Sequence, residues 1–249
     1  MHKFFAKTQF LGKKVKILTE CHSTNSVLRD YLNDGEMKEG SLVLTDYQTG
    51  GRGQRGNQWE SEPGQNLLMS FYLEPSFLKI QQQHFLNIST SLAINDILRV
   101  ITGVQIKWPN DMYFLDKKFA GILVENTVYR NSIDSCVIGI GLNVSQRKFQ
   151  NDATSLSLMG LHIDRWEVLA KFLHAFEHYY ELLKSGNHSD LIEEYYMYLR
   201  WFREDRTYRS ASEGEFRGSI EGIDEWGRLL VNVGGGCKVF DVKEIQFVR

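Results

Sequence analysis

Gln48-Thr49-Gly50-Gly51-Arg52-Gly53-Gln54-Arg55-Gly56-Asn57-Gln58-Trp59 packs four glycines and two arginines into twelve residues without a single acid. Glycine lets a backbone approach a ligand and turn its N–H groups inward, and the arginine fork suits carboxylate and phosphate oxygens. The run therefore reads as an anion cradle. It lies between two strand-like apolar runs, 41–45 and 66–73, in a 20-residue span (46–65) with no helical period. Loops that long inside a compact domain are usually functional or disordered. Gly51-x-Gly53-x-x-Gly56 also fits the dinucleotide fingerprint, but that motif needs a helix to meet the pyrophosphate. Here Glu62-Pro63-Gly64 and a strand follow instead. A flexible polar hairpin is the plain alternative, and Trp59 at its end argues against mere solvation.

Working outward, a strand at 15–19 precedes a short helix at 24–33 that gathers Val27, Leu28, Tyr31 and Leu32 on one face, with Ser23 as cap and Gly35 as stop. Phe85, Ile88, Leu92, Ile97, Leu98 and Ile101 trace a longer helix over 81–101. Strands are expected near 105–108, 120–126 and 135–144, then helices over 164–184 and 191–199 that cover one side. After Arg203 the texture changes to short alternating runs broken by Gly218, Gly222, Gly227 and Gly234-Gly235-Gly236. This reads as a small β-barrel of about 45 residues, too small to be stable alone and expected to pack on the larger unit.

The composition is that of a globular chain, with 42% hydrophobic and 24% charged residues in 249. A net charge of -2 offers no overall field for a polyanion such as duplex DNA, so any anion must be held locally. Cys21, Cys136 and Cys237 are odd in number and in no metal-ligand spacing, which fits a reducing compartment. The N-terminus is broken by lysines and no 18-residue apolar run occurs, so the expected setting is cytoplasmic, with no membrane.

Three further segments carry chemistry. Lys107-Trp108-Pro109-Asn110-Asp111 leaves a strand into a turn; Asp111 can bond nearby backbone or help place a magnesium ion on a phosphate. Lys117-Lys118 stands just ahead of the small residues Ala120 and Gly121, where a ligand can come close, although most lysine pairs are solvated surface. Gly139 and Gly141 leave one face of a strand bare, as a ligand lying on the sheet requires or as a tight strand crossing does. His174-Ala175-Phe176-Glu177-His178 fits the H-x-x-E-H zinc pattern, but its aromatic helix offers no third ligand. A place on the helix surface is the expectation there.

Taken in order and spacing, GRGQRGNQW (51–59), KWPND (107–111), KFAGILVE (118–125) and GIGLNV (139–144) resemble the biotin protein ligases, also called biotin-acetyl-CoA-carboxylase ligases. The likeness covers Val15 to about Asn143 and extends more weakly to the C-terminus. It implies an α+β fold: a mixed or antiparallel sheet with flanking helices as a catalytic domain over 1–203, and a small SH3-like β-barrel over 204–249. It also implies two steps, in which biotin and ATP give biotinyl-5'-AMP and pyrophosphate, and a lysine of a biotin carboxyl carrier domain then takes the biotinyl group. The attacking carboxylate and the triphosphate repel by about 4 kcal/mol for two unit charges roughly 4 Å apart at an effective dielectric of about 20.

Carried over position by position, Arg52 and Lys118 hold the biotin carboxylate and phosphate, with Asp111 as the third catalytic residue and the place for magnesium. Ser23, Thr24, Asn25, Gln48, Gly51 and Gly121 match the biotin-binding positions. Gly53, Arg55, Trp59, Lys107, Asn110 and Asn143 match those around the adenylate.

Two features depart from the family. The common pattern GRGRRGRxW has arginines where this chain has Gln54 and Asn57, which implies weaker retention of the adenylate. Only about 14 residues precede the first strand, too few for the DNA-reading domain of regulatory members, so no DNA partner is expected. The family's sheet-edge dimers also allow for a homodimer. A lipoate-protein ligase shares the expected fold and chemistry but has a different motif in the 48–59 loop, and a non-catalytic binding or sensor protein is the alternative from another class.

Overall fold

The computed structural model describes residues 7–248. β1 (Val15–Cys21) pairs in parallel with β2 (Leu42–Gln48) across the helix α1 (Thr24–Asn33). From β2 onward every pairing is antiparallel, through β3 (Asn66–Leu73), β7 (Ser132–Asn143), β6 (Lys117–Tyr129), β5 (Asp111–Phe114) and β4 (Val104–Lys107). The sheet order β1-β2-β3-β7-β6-β5-β4 makes it mixed, as expected.

Alternation along each strand sorts the core. Leu42, Leu44, Met69, Phe71, Ile138 and Ile140 face the large cluster that includes α2 (His84–Ile97) and α3 (Arg165–Lys184). Val43 and Val137 face the other way and join Leu28 of α1. The helices over 165–184 and 188–198 thus pack with α2 on one side, as expected, while α1 lies on the other face and shares it with the bare glycines of β7. No helix among the described residues is long and apolar enough to cross a membrane.

Local chemistry moved several boundaries. α2 starts at His84, after a 3-10 turn at Ile80–Gln82, and ends at Ile97; the apolar period ran on because Leu98 is buried and Ile101 packs on the core, both outside the helix. The strand β5 was not foreseen, because its four residues follow a turn sequence. KWPND is the tip of the β4–β5 hairpin, where Lys107 opposes Asp111 and the Trp108–Pro109 peptide is cis. Ser23 stands at the N-cap of α1 with extended backbone, yet its hydroxyl makes no cap bond. The Thr24 N–H donates instead to Gln48 Oε1 of β2 at 2.8 Å.

The Glu177 carboxylate explains the H-x-x-E-H pattern. His174 and His178 are exposed on α3, while Glu177 is buried on its other side and accepts the backbone N–H groups of Gln9, Phe10 and Leu11 at 2.7, 2.8 and 2.8 Å. It clamps the segment leading into β1, and no group of three potential metal ligands occurs among the described residues. Glu177→Ala is expected to cost about 2–4 kcal/mol, as three charge-assisted bonds vanish. Urea unfolding, together with faster proteolysis of residues 7–14, checks this.

After α4 (His188–Tyr198) the chain enters a second, antiparallel sheet: β8 (Asp205–Ser210), β9 (Gly214–Ile223), β10 (Leu229–Val233), β11 (Gly236–Phe240) and β12 (Ile245–Phe247), in the order β11-β10-β9-β8-β12. Its buried residues Tyr208, Ile220, Leu229, Val231 and Phe240 belong to the same core cluster as the large sheet. The small sheet also docks by polar contacts. Trp108 Nε1 donates to Gly227 O at 2.9 Å, while the buried Arg200 ties the connector between α4 and β8 to the large sheet through Gln105, Leu115 O and Asp116.

His84 packs under Gly227 at this junction, and burial lowers its pKa from 6.5 to about 4. A depressed histidine leaves stability whole above about pH 6.5 and removes it as pH falls towards 4, because the unfolded chain takes up the proton first. Up to about 3 kcal/mol is at stake for a shift of this size. Urea unfolding at pH 7 and pH 4.5 should show a steeper acid loss in wild type than in His84→Gln.

Candidate active site

Strand register builds the floor of the site. Gly139 and Gly141 of β7 oppose Ser70 and Leu68 of β3 on one side, and Leu123 and Gly121 of β6 on the other. The protein's own side chains fill the bare positions. A Cβ on Gly139 would lie 2.2 Å from Asn25 Oδ1, and one on Gly141 would lie 2.3 Å from Trp59 Cε2. The glycines that the sequence offers as room for a ligand are thus the seats of two site side chains.

The 46–65 span is an ordered hairpin. Thr49 and Gly50 prolong the β1–β2 pairing by donating to Cys21 O and His22 O, both at 3.0 Å. Gly51 to Trp59 then folds back on itself, with Trp59 N donating to Gly51 O at 2.9 Å, Gly53 N to Asn57 O at 2.7 Å, and a 3-10 turn at Gln54–Gly56. The fold-back lays the Trp59 ring on the sheet, with Nε1 buried and unpartnered, and carries Arg52 over α1.

Beneath this hairpin lies a cleft of about 540 Å³. Ser23, Thr24, Asn25 and Gln48 line one end, where α1 begins and β2 ends. Arg52, Gly53 and Trp59 come from the hairpin, and Lys107, Asn110, Asp111, Lys118 and Gly121 from the β4–β6 side. Gly51 lines a neighbouring cleft behind the hairpin. Asn143 is buried at the end of β7, its Nδ2 donating to Thr154 O at 3.0 Å and its Oδ1 unpartnered. The Arg55 side chain lies outside the described residues, although its backbone sits in the 3-10 turn.

The charges in and around the cleft are paired in an exchangeable way. Lys118 Nζ stands 2.6 Å from Asp111 Oδ1 and 5.6 Å from the centre of the Trp59 ring, with both ion-pair partners partly exposed. Lys107 Nζ lies over the rings of Tyr113 and Phe247 at 5.4 and 5.1 Å. Arg52 Nη2 lies 3.2 Å from Ser26 Oγ and 3.5 Å from Glu125 Oε2. Asn110 Nδ2 donates to Ile122 O, which fixes the hairpin tip against β6.

Two contributions escaped the sequence. Val242, Lys243, Ile245, Gln246 and Phe247 of the small sheet close the far wall. No motif announces them, since only the docking of the two sheets brings them there. Glu125 is the other, adjoining the site through Asn25 and Arg52.

Polar side chains at one end of the cleft, with Arg52, Lys107 and Lys118 along it, give an α+β protein a site suited to anionic ligands. The chain belongs to the Biotin/lipoate A/B protein ligase family, whose model matches residues 18–143. It is 32% identical to the bifunctional ligase/repressor BirA of Salmonella typhimurium over 96% of this chain and 76% of that protein. It is 25% identical to the biotin-acetyl-CoA-carboxylase ligase of Mycobacterium tuberculosis, over 95% of this chain and 90% of the relative. The biotin protein ligase from Aquifex aeolicus in complex with biotin and ATP superposes with a TM-score of 0.76 at 29% identity, covering 96% of this chain and 100% of the other.

Proposed function

We infer that this chain is a biotin protein ligase that forms biotinyl-5'-AMP from biotin and ATP and passes the biotinyl group to a lysine of a biotin carboxyl carrier domain of the acetyl-CoA-carboxylase type. The observation that carries this reading is the match along 96% of the chain to a structure that holds biotin and ATP together. In the first step a biotin carboxylate oxygen attacks the α-phosphorus, the bond to the β-phosphate oxygen breaks, and pyrophosphate leaves. In the second the neutral lysine amine attacks the acyl carbon, AMP leaves, and the nitrogen loses a proton.

This chain's residues suit those demands. Arg52 and Lys118 offset the repulsion between the two anions, and their present partners Glu125 and Asp111 are exposed enough to be exchanged for ligand oxygens. Thr24, Asn25 and Gln48 supply the donors and acceptors that a buried ureido ring needs, and Ser23 stands beside them. Gly53 and Gly121 keep the cleft walls low on either side of Trp59, which offers a ring for adenine. Asp111 fits magnesium, an ion often held by one carboxylate together with substrate phosphates, and Lys107 and Asn110 flank it. When bound, the ion neutralises phosphate charge. A cytoplasmic setting belongs to the same proposal.

Mass spectrometry of protein incubated with ATP and magnesium, with biotin or lipoate added separately, tests the reading: biotinyl-AMP alone is expected. Lipoyl-AMP would move the chain to the sister activity, and neither adenylate in folded protein would overturn catalysis. The departures at Gln54 and Asn57 give a further expectation. Gln54 lines the cleft as a neutral side chain. Gln54→Arg should therefore slow adenylate release by roughly three- to ten-fold, measured by chasing labelled biotinyl-AMP with unlabelled ligand.

A further inference from the structure

We propose that Glu125 is a positioning residue whose carboxylate decides which end of the Asn25 amide faces the cleft. The inference rests on the ligase reading above. Glu125 lies on the cleft face of β6, opposite Val137 and one alternate position beyond Leu123. Its Oε2 accepts from Asn25 Nδ2 at 2.6 Å, and the Nη2 atoms of Arg29 and Arg52 each stand 3.5 Å away.

Asn25 is held on every side. It is 2% exposed, its Oδ1 receives the hydroxyl of the fully buried Ser70, and Gly139 leaves just enough space behind that oxygen. An ionised carboxylate only accepts hydrogen bonds. The Asn25 nitrogen must therefore face Glu125 and its oxygen Ser70, since the reverse orientation would set two oxygens against each other. With one Nδ2 hydrogen committed to Glu125, the second is the donor that Asn25 can offer to the cleft it lines.

The consequence spreads along a buried chain. Ser70 Oγ also lies 2.7 Å from Thr24 Oγ1, and Gln48 Oε1 receives the Thr24 N–H at 2.8 Å. Glu125 thereby orders one end of a polar path that continues through Asn25, Ser70 and Thr24 to Gln48; of these, Asn25, Thr24 and Gln48 line the end of the cleft assigned to the biotin rings. Arg29 makes this compatible with binding an acid. Two arginines flank a single carboxylate, so the local charge stays positive and Arg52 keeps its attraction for an incoming anion.

Calorimetric titration of biotin and of its uncharged methyl ester into wild type and Glu125→Gln tests the inference. A glutamine can turn its own N–H towards Asn25 and let that amide reverse. Both ligands should bind about ten-fold more weakly, with Ser70→Ala shifting them in the same direction. The KM for ATP in pyrophosphate release should stay within about two-fold. In an Asn25→Ala background Glu125→Gln should add less than about two-fold, because it acts through Asn25. Unchanged biotin affinity, tighter biotin with unchanged ester, or a fully additive loss in that background would each overturn the role. Wild-type protein that binds neither compound overturns the ligase reading, and this inference with it.

Discussion

Lys118→Met is expected to slow biotinyl-adenylate formation by roughly 100- to 1000-fold, the range seen when one fixed donor to a developing oxyanion is removed. Lys118 stands at the start of β6 with Nζ 2.6 Å from Asp111 and next to the Trp59 ring, the place the proposed function gives to carboxylate and α-phosphate. Removing it does double damage. The cation is lost, and Asp111, the residue proposed to hold magnesium, loses the ion-pair partner that positions its carboxylate. Lys118→Met with Asp111→Asn should therefore be faster than the product of the two single losses predicts, because the two side chains form one ion pair and either change already breaks it. Pyrophosphate release at saturating biotin and ATP reads both numbers. A single-variant loss below about five-fold would place the charge compensation elsewhere, with Arg52, Lys107 and Lys243 as further cations lining the cleft.

How much of this was legible in the sequence follows from how each element is encoded. β3, α1 and α3 could be read because a clean apolar period ends at a polar or glycine stop. β6 and β7 are longer than the runs read from the sequence, since Thr127 to Tyr129 and Ser132 form a largely solvent-facing hairpin end in which even Val128 and Tyr129 are exposed, so no alternation of buried and exposed positions marks it. The cleft-lining residues within contiguous motifs were legible for the same reason that motifs exist: a turn or strand end presents neighbours in sequence to one cleft. Ser70, Glu125 and Phe247 reach the cleft region through strand register and sheet docking, which join positions far apart in the chain. Ser70 in particular sits in an apolar run, where it looks like an ordinary strand residue until Asn25 and Thr24 are seen against it.

Gly141→Ala is the second change with a large expected effect, because the added methyl group would meet the wall of the cleft itself. The new Cβ would lie 2.3 Å from Trp59 Cε2 and 2.7 Å from Cδ2 and Nε1, distances no packed pair sustains. The ring has to leave, since Gly141 belongs to the middle of a sheet bonded on both sides by β3 and β6. Overpacking of this kind costs about 1–3 kcal/mol, and a displaced ring can no longer face a base. ATP affinity should fall roughly 10- to 100-fold, the worth of one stacked base, with biotin affinity changed much less. Pairing it with Trp59→Ala separates the two effects. The double variant removes the clash and should regain much of the thermal stability, yet its ATP affinity should stay as low as that of either single variant. If ATP binding returned along with stability, the ring would be a packing element of the hairpin, and the contact with adenine would have to come from the far wall built by β12.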